Sequence, residues 1–263
     1  MSEPADLLER VRAIDEELVD GALTGAVDER TVDELIAALA HADAKVRAAA
    51  AAALARTGDP RAVKPLRTAA SDGVPNVRAI ALAALVRLSP DKLLPEMVKS
   101  LRAEDPRVVA GAAVVLGHAV RLGATAVRAA VPNLIEAFQT DDIAIGKAVA
   151  WALGCIGDRA VVPWLVAALE QGFAPAAAAE ALGRIGDLRA QPALLAALAD
   201  DDVAVRAAAA RGLGRTGSAG DAAVVSRLEL LLADPDARVR ICAALALYER
   251  GEDAGALVEA LGP

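Results

Sequence analysis

Side chains able to do chemistry are scarce in this chain. It carries two cysteines (Cys155, Cys242), two histidines (His41, His118) and five aromatic residues among 263. One run, WALGCIGDRAVVPWL at 151–165, holds both tryptophans and Cys155. A second, GLGRTG at 212–217, has the glycine spacing of a dinucleotide-binding turn. That turn works between a strand and a helix, where backbone amides meet a pyrophosphate. Here ALGCIG at 152–157 and ALGRIG at 181–186 repeat the same phrase, so it marks the end of a recurring helix. The GK at 146–147 lacks the upstream glycine of a phosphate-binding loop. The residues indicate no catalytic constellation, no metal set and no cofactor.

The elements that position these residues are helices. Hydrophobic residues make up 56% of the chain and aromatics 2%. Most of the apolar content is alanine, the best helix former, whereas a β fold would favour aromatic and β-branched residues. The fold class is all-α. Residues 1–34 carry eleven acids against three bases, and the rest of the chain is balanced. A neutral body with an acidic arm argues against a general nucleic-acid binder, which shows a basic excess. The start MSEPADLLER lacks the pattern of a signal peptide. No apolar run reaches the roughly 18 residues of a membrane span, and two cysteines make no disulfide framework. A cytoplasmic location is expected.

A pattern recurs seven times: an apolar anchor, often followed by Arg, a small residue at +4, usually Leu at +8, and in most copies Gly near +12. The anchors are Val46, Val77, Val108, Ile145, Ala174, Val205 and Val239. The spacing is helical, with Gly or Ser-Pro as the stop. A second helix precedes each anchor helix, its start marked in five units by Pro65, Pro95, Pro132, Pro163 and Pro192. Each unit of about 31 residues is thus a helical hairpin, as in stacked repeat arrays.

Asp72/Val77/Arg78, Asp200/Val205/Arg206 and Asp234/Val239/Arg240 share a D-x-x-x-x-V-R spacing. A-L-G-x-I-G-D endings stand at 152–158 and 181–187, and D-x-R-A-V-x-P-L at 59–66. On these phrases the chain resembles HEAT-repeat proteins, specifically the HEAT-like repeats of the phycobilisome-lyase type, over residues 31–263. The resemblance implies a right-handed α-solenoid of about seven hairpins, with the anchor helices on a concave face. It also implies an Asp–Arg ladder between repeats, which Val109, Gly146 and Pro175 interrupt. The histidines, in different repeats, cannot supply the repeated His-Glu pairs of the di-iron HEAT-repeat hydroxylases.

Columns can be read across such repeats. Positions +4 and +8 should point inward, and +3, +6 and +10 should share a groove-facing stripe. The +10 column reads Arg56, Arg87, His118, Cys155, Arg184, Arg215, Glu249; the +6 column includes Trp151, Glu180 and Arg211; the +3 column is mostly small. This predicts a partner-binding groove of Arg56, Arg87, His118, Trp151, Cys155, Glu180, Arg184, Arg211 and Arg215. Its arginines either meet carboxylates of a partner, or form a solvated edge, or pair with repeat-end acids such as Asp59, Asp158 and Asp187. Phe138 should be core, Phe173 a plug at a repeat junction, and Trp164 exposed. Six extra residues between the third and fourth anchors suggest a loop in the same zone.

Residues 1–30 should form an acidic capping helix and linker, with Leu7, Leu8, Val11, Ile14, Leu18 and Val19 apolar. Thr31 and Glu34 suggest a capping box. Residues 253–262 suggest a thin C-terminal cap, compatible with a monomer or a weak homodimer. The expected function is a non-enzymatic scaffold or adaptor that binds a partner protein or acidic peptide in the groove. Two alternatives are an accessory lyase or chaperone for a cofactor-carrying partner, as in the phycobilin lyases, and a DNA-binding HEAT-like protein.

Overall fold

The computed structural model describes residues 8–14, 29–216 and 221–251. They divide into two compact units, residues 1–130 and 131–263. Every regular element among the described residues is helical. The first unit runs α1 (residues 8–14), α2 (Glu29–Ala38), α3 (Ala44–Thr57), α4 (Val63–Ala69), α5 (Pro75–Leu88), α6 (Pro90–Ser100) and α7 (Pro106–Arg121). The second runs α8 (Val131–Phe138), α9 (Ile143–Ile156), α10 (Val162–Glu170), α11 (Pro175–Ile185), α12 (Gln191–Ala197), α13 (Val203–Arg215), α14 (Ala222–Leu230) and α15 (Ala237–Glu249). From α2 onward the helices alternate between a preceding helix and an anchor helix. Anchor helices stack on one another, α3 on α5 on α7 in one unit and α9 on α11 on α13 on α15 in the other.

The +4 and +8 columns form the core. Leu54, Leu85, Leu116, Leu153, Leu182 and Leu213 are fully buried, above small residues such as Ala50, Ala81 and Ala178. Asp43, Asp105, Asp142, Asp202 and Asp236, three residues before their anchors, each cap an anchor helix by accepting a backbone N–H. This satisfies donors that the first turn leaves without partners. At the other end Gly157 and Gly186 adopt left-handed caps at φ 70° and 67°, a conformation that costs glycine little.

Successive anchor helices meet backbone to backbone. A Cβ on Gly154 would lie 2.9 Å from the Cα of Ala181, one on Gly183 2.5 Å from the Cα of Gly212, and one on Gly214 2.9 Å from the Cα of Ala246. In each pair the +9 residue of one repeat meets the +7 residue of the next. Gly212 and Gly214 of the dinucleotide-like phrase are therefore helix-packing residues, in keeping with the repeat context.

The Asp–Arg ladder is present where both partners exist. Arg47 donates Nε and Nη2 to Asp72 at 2.7 and 2.9 Å, and Nη1 to the carbonyls of His41 and Ala42. Arg206 does the same to Asp234 at 2.9 and 3.1 Å and to the carbonyls of Asp200 and Asp201. Where Gly146 replaces the ladder arginine, the Phe173 ring occupies the space, with Cε1 and Cζ 2.6 Å from where a Cβ would stand. Phe173 also meets Phe138 edge-on at 5.4 Å. The expected core and plug roles of these rings hold, and Trp164 is exposed as expected.

Four local expectations are corrected. In the third repeat Val108 is 43% exposed and Val109 5%, so the anchor shifts by one residue: with no Arg at +1 to reach solvent, the apolar Val109 turns inward. Pro95 lies inside α6, which begins at Pro90, because the Ser89-Pro90 stop of α5 also supplies the first-turn proline of α6. Thr31 lies within α2 and so cannot be its N-cap; Glu34 pairs instead with Arg10 at 2.7 Å and Arg30 at 3.3 Å. The extra residues before the fourth anchor lengthen α7 and form a 3₁₀ segment at Thr125–Ala130, where Val127 and Ala130 are buried, so they pack instead of looping out. Val11 of α1 is buried; Leu7, Leu18, Val19 and the expected cap at 253–262 lie outside the described residues.

These contacts predict opposite outcomes for two glycines. Gly183→Ala should cost about 1–3 kcal/mol through overpacking against Gly212. Gly111→Ala, on α7 with nothing within 4 Å of the new methyl, should stabilise by about 0.5–1 kcal/mol through helix propensity. Urea denaturation of both variants checks the pair.

Candidate functional site

The predicted site residues separate into two sets. Arg56, Arg87 and His118 belong to the first unit; Trp151, Cys155, Glu180, Arg184, Arg211 and Arg215 belong to the second. The +10 column falls in the last turn of its helices, as at Arg56, Arg87, Arg184 and Arg215. A cation there faces the negative end of the helix dipole and unpaired carbonyls. This gives an arginine row a structural origin even without a ligand.

Arg87 shows that origin most fully. Its Nε donates to the Ala55 carbonyl at 2.8 Å and its Nη1 to the Leu122 carbonyl, joining the ends of three anchor helices. Burial, with the neighbouring Arg56 charge, pushes its pKa down. The guanidinium expected in the groove is thus committed to backbone. A second such residue was not among those expected: Arg250 is 5% exposed and donates Nη1 to the carbonyls of Leu213 and Thr216 at 2.9 and 2.8 Å. Only its place just past the end of a repeat could have pointed to it. Burial, with Arg121 nearby, pushes His118 below its ordinary pKa, so it is neutral near pH 7.

In the second unit four predicted residues do come together. Glu180, Arg184, Arg211 and Arg215 line a shallow concavity of about 210 Å³ on α11 and α13, floored by Gly183, Ala208 and Gly212. Arg211 donates to Glu180 at 2.6 Å, and Arg215 lies 3.7 Å from Glu249. Arg184 is exposed and makes no ion pair with a described residue; its stem runs beside Gly154. The close approach at Gly183 and Gly212 is what brings arginines of adjacent helices onto one surface. Trp151 and Cys155 stand one turn apart on α9, half-buried. The concavity does not include them.

The repeat-end acids serve their own helices. Asp158 caps the backbone N–H of Ala160. Asp59 accepts from Arg61, which with the Arg61 backbone N–H holds its pKa down. Asp187 accepts Nε and Nη2 of Arg189 at 2.9 and 2.8 Å and its backbone N–H at 2.9 Å, which lowers its pKa from 3.8 to about 2. The partners of Arg211 and Arg215 are therefore glutamates on anchor helices, not these aspartates. The described residues contain no cluster of metal-ligating side chains and no helix long and apolar enough to cross a membrane.

Comparison with known proteins follows the same lines. A family model of HEAT repeats matches residues 32–117, 174–247 and 195–262. The model of the PBS lyase HEAT-like repeat matches residues 147–171. Two engineered proteins crystallised by the Northeast Structural Genomics Consortium are similar. One is 25% identical, covering 97% of this chain and 76% of its own, with a TM-score of 0.50. The other is 25% identical, covering 84% and 96%, with a TM-score of 0.51. The complex of CpcE and CpcF of phycocyanin lyase from Nostoc sp. PCC7120 is 23% identical over 90% of this chain and 96% of that chain, with a TM-score of 0.47. A search of the curated proteins gave no match.

The Asp187 pKa carries a pH prediction. A carboxylate depressed in the folded state contributes stability that is complete above its unfolded pKa and is lost as pH falls through its folded one. Asp187 should therefore contribute fully above pH 3.8 and lose its contribution on the way to about 2. In Asp187→Asn the decline of the urea midpoint over that range should be shallower than in the parent; an equal slope would contradict the assignment.

Proposed function

Because the chain belongs to the HEAT-repeat family and is an all-α solenoid, we propose that it is a non-enzymatic interaction scaffold. It binds an acidic segment of a partner protein on the anchor-helix face of α11 and α13. One observation carries the reading: Arg184 stands exposed, without a carboxylate among the described residues, beside Arg211 and Arg215 in one concavity. Three guanidiniums against two glutamates, Glu180 and Glu249, leave one positive charge in excess on a chain whose net charge is −8. Guanidinium forks match carboxylates in two-point hydrogen bonds. The Gly183–Gly212 floor leaves room for an extended backbone to lie close. Trp151, on the neighbouring α9, supplies an apolar anchor of the kind that dominates binding energy at interfaces.

The occupied arginines fit the same role. Glu180 holds Arg211 in place, and both side chains remain about half exposed. A partner carboxylate can exchange with Glu180 without burying an unpaired charge. An exposed pair of this kind contributes little to folding, so the exchange costs the scaffold little.

Fluorescence anisotropy with a labelled peptide rich in Asp and Glu tests the reading. Binding should be saturable and should weaken with salt. Arg184→Glu should weaken it by about tenfold or more, the scale of a lost charge-assisted pair replaced by repulsion. Trp151→Ala should weaken it too. Arg67→Glu, an equal charge change at an exposed site on α4, should not. Equal affinities for Arg184→Glu and the parent would remove the site.

A further inference from the structure

Among the described residues two ladder arginines make no ion pair: Arg240 in the last repeat, seated on the carbonyls of Asp234 and Pro235, and Arg78 inside the array. Arg78 places Nη1 on the carbonyls of Asp72 and Gly73 at 2.7 and 3.0 Å, the same seat that Arg47 and Arg206 take on their own loops. In those two, Nε and Nη2 then reach the aspartate of the next repeat, Asp72 and Asp234. Asp72 and Asp234 stand two residues before the N-caps Val74 and Asp236; the residue two before the next N-cap after Arg78, Asp105, is Ala103. Asp72 itself is already engaged by two nitrogens of Arg47. Arg78 is therefore a guanidinium held by backbone whose rung carboxylate no described residue supplies, Asp72 lying near it but hydrogen-bonded to Arg47.

The space beside it is apolar. Arg78 lines a cavity of about 660 Å³ together with Leu82, Met97, Val108 and Val114, and Arg107 stands on the same lining. Two local features keep it open. Helix α6 buries none of its side chains fully, and the shifted anchor leaves Val108 43% exposed. The volume lies within the range of small-molecule sites, which combine apolar walls with a few placed polar groups.

We infer that this cavity binds a small aliphatic carboxylate, whose head group takes the place of the absent rung aspartate on Arg78 and whose tail lies along Leu82, Met97 and Val108. Charge complementarity selects the head: two arginines line the cavity, and no acidic residue does. The apolar wall selects the tail. The site belongs to the first unit, apart from the acidic-peptide surface of the second, so either can fail alone.

Calorimetric titration of the full chain with octanoate tests it, with octanol as the uncharged control. Octanoate should bind saturably at one site, about tenfold or more tighter than octanol, as charge-assisted pairing implies. Arg78→Gln should reduce it to the octanol level. Ala103→Asp, which restores an internal rung and leaves Arg78 in place, should abolish octanoate binding. Absence of octanoate binding, equal affinity for octanol, or octanoate affinity unchanged in Ala103→Asp would overturn the inference. So would binding of an apolar C-terminal peptide in place of octanoate.

Discussion

The second unit depends on how closely its anchor helices approach. Gly183 and Gly212 meet so that a Cβ on the first would fall 2.5 Å from the Cα of the second. Gly154 and Gly214 make similar approaches to Ala181 and Ala246. Helices this close exclude side chains from the seam and send them to its flanks. The leucines at +8 go to one flank and form the core. The arginines at +6 and +10 go to the other and share one surface. The candidate site is thus a by-product of the packing that stabilises the stack.

Repeats are joined in three further ways, each answering the same problem of exposed helix ends and loops. Where Arg and Asp are both present, a two-point ion pair spans the junction while the same arginine ties down its own loop. Where Gly146 stands in the arginine's place, the Phe173 ring fills the space and leans on Phe138. At other ends Arg87 and Arg250 reach back to helix-terminal carbonyls. These devices are interchangeable because each satisfies or covers backbone that a tightly packed neighbour cannot. Arg78, inside the array, has only the loop half of its rung, the feature on which its proposed carboxylate partner rests.

Much of this was legible from residue columns, because each repeat places equivalent positions alike. The hairpins, the leucine layer, the glycine helix stops and the Phe173 plug all follow from spacing. So does the grouping of Glu180, Arg184, Arg211 and Arg215. The misreadings arise where a column holds the right residue type for two roles. Arg87 and Arg184 occupy the same column, yet one is committed to carbonyls of neighbouring repeats and the other is exposed; sequence position does not distinguish them. Val108 and Val109 are both apolar, and only the missing Arg decides which turns inward. Arg250 lies outside the repeat grammar and reads as a surface charge, although it is buried. The division at residue 130 has no composition shift or linker to announce it.

The central claim is that glycine-mediated backbone approach positions the arginine surface. The most direct measurement is acidic-peptide affinity in the Gly183→Ala variant, with circular dichroism establishing that it remains folded. This substitution changes no charge and none of the four charged groove side chains, and adds a single methyl at the floor. Separation of α11 from α13 by the added methyl should weaken peptide binding while helicity is retained. Affinity equal to the parent's in a folded variant would show that the arginines act independently of the seam, and would contradict the account.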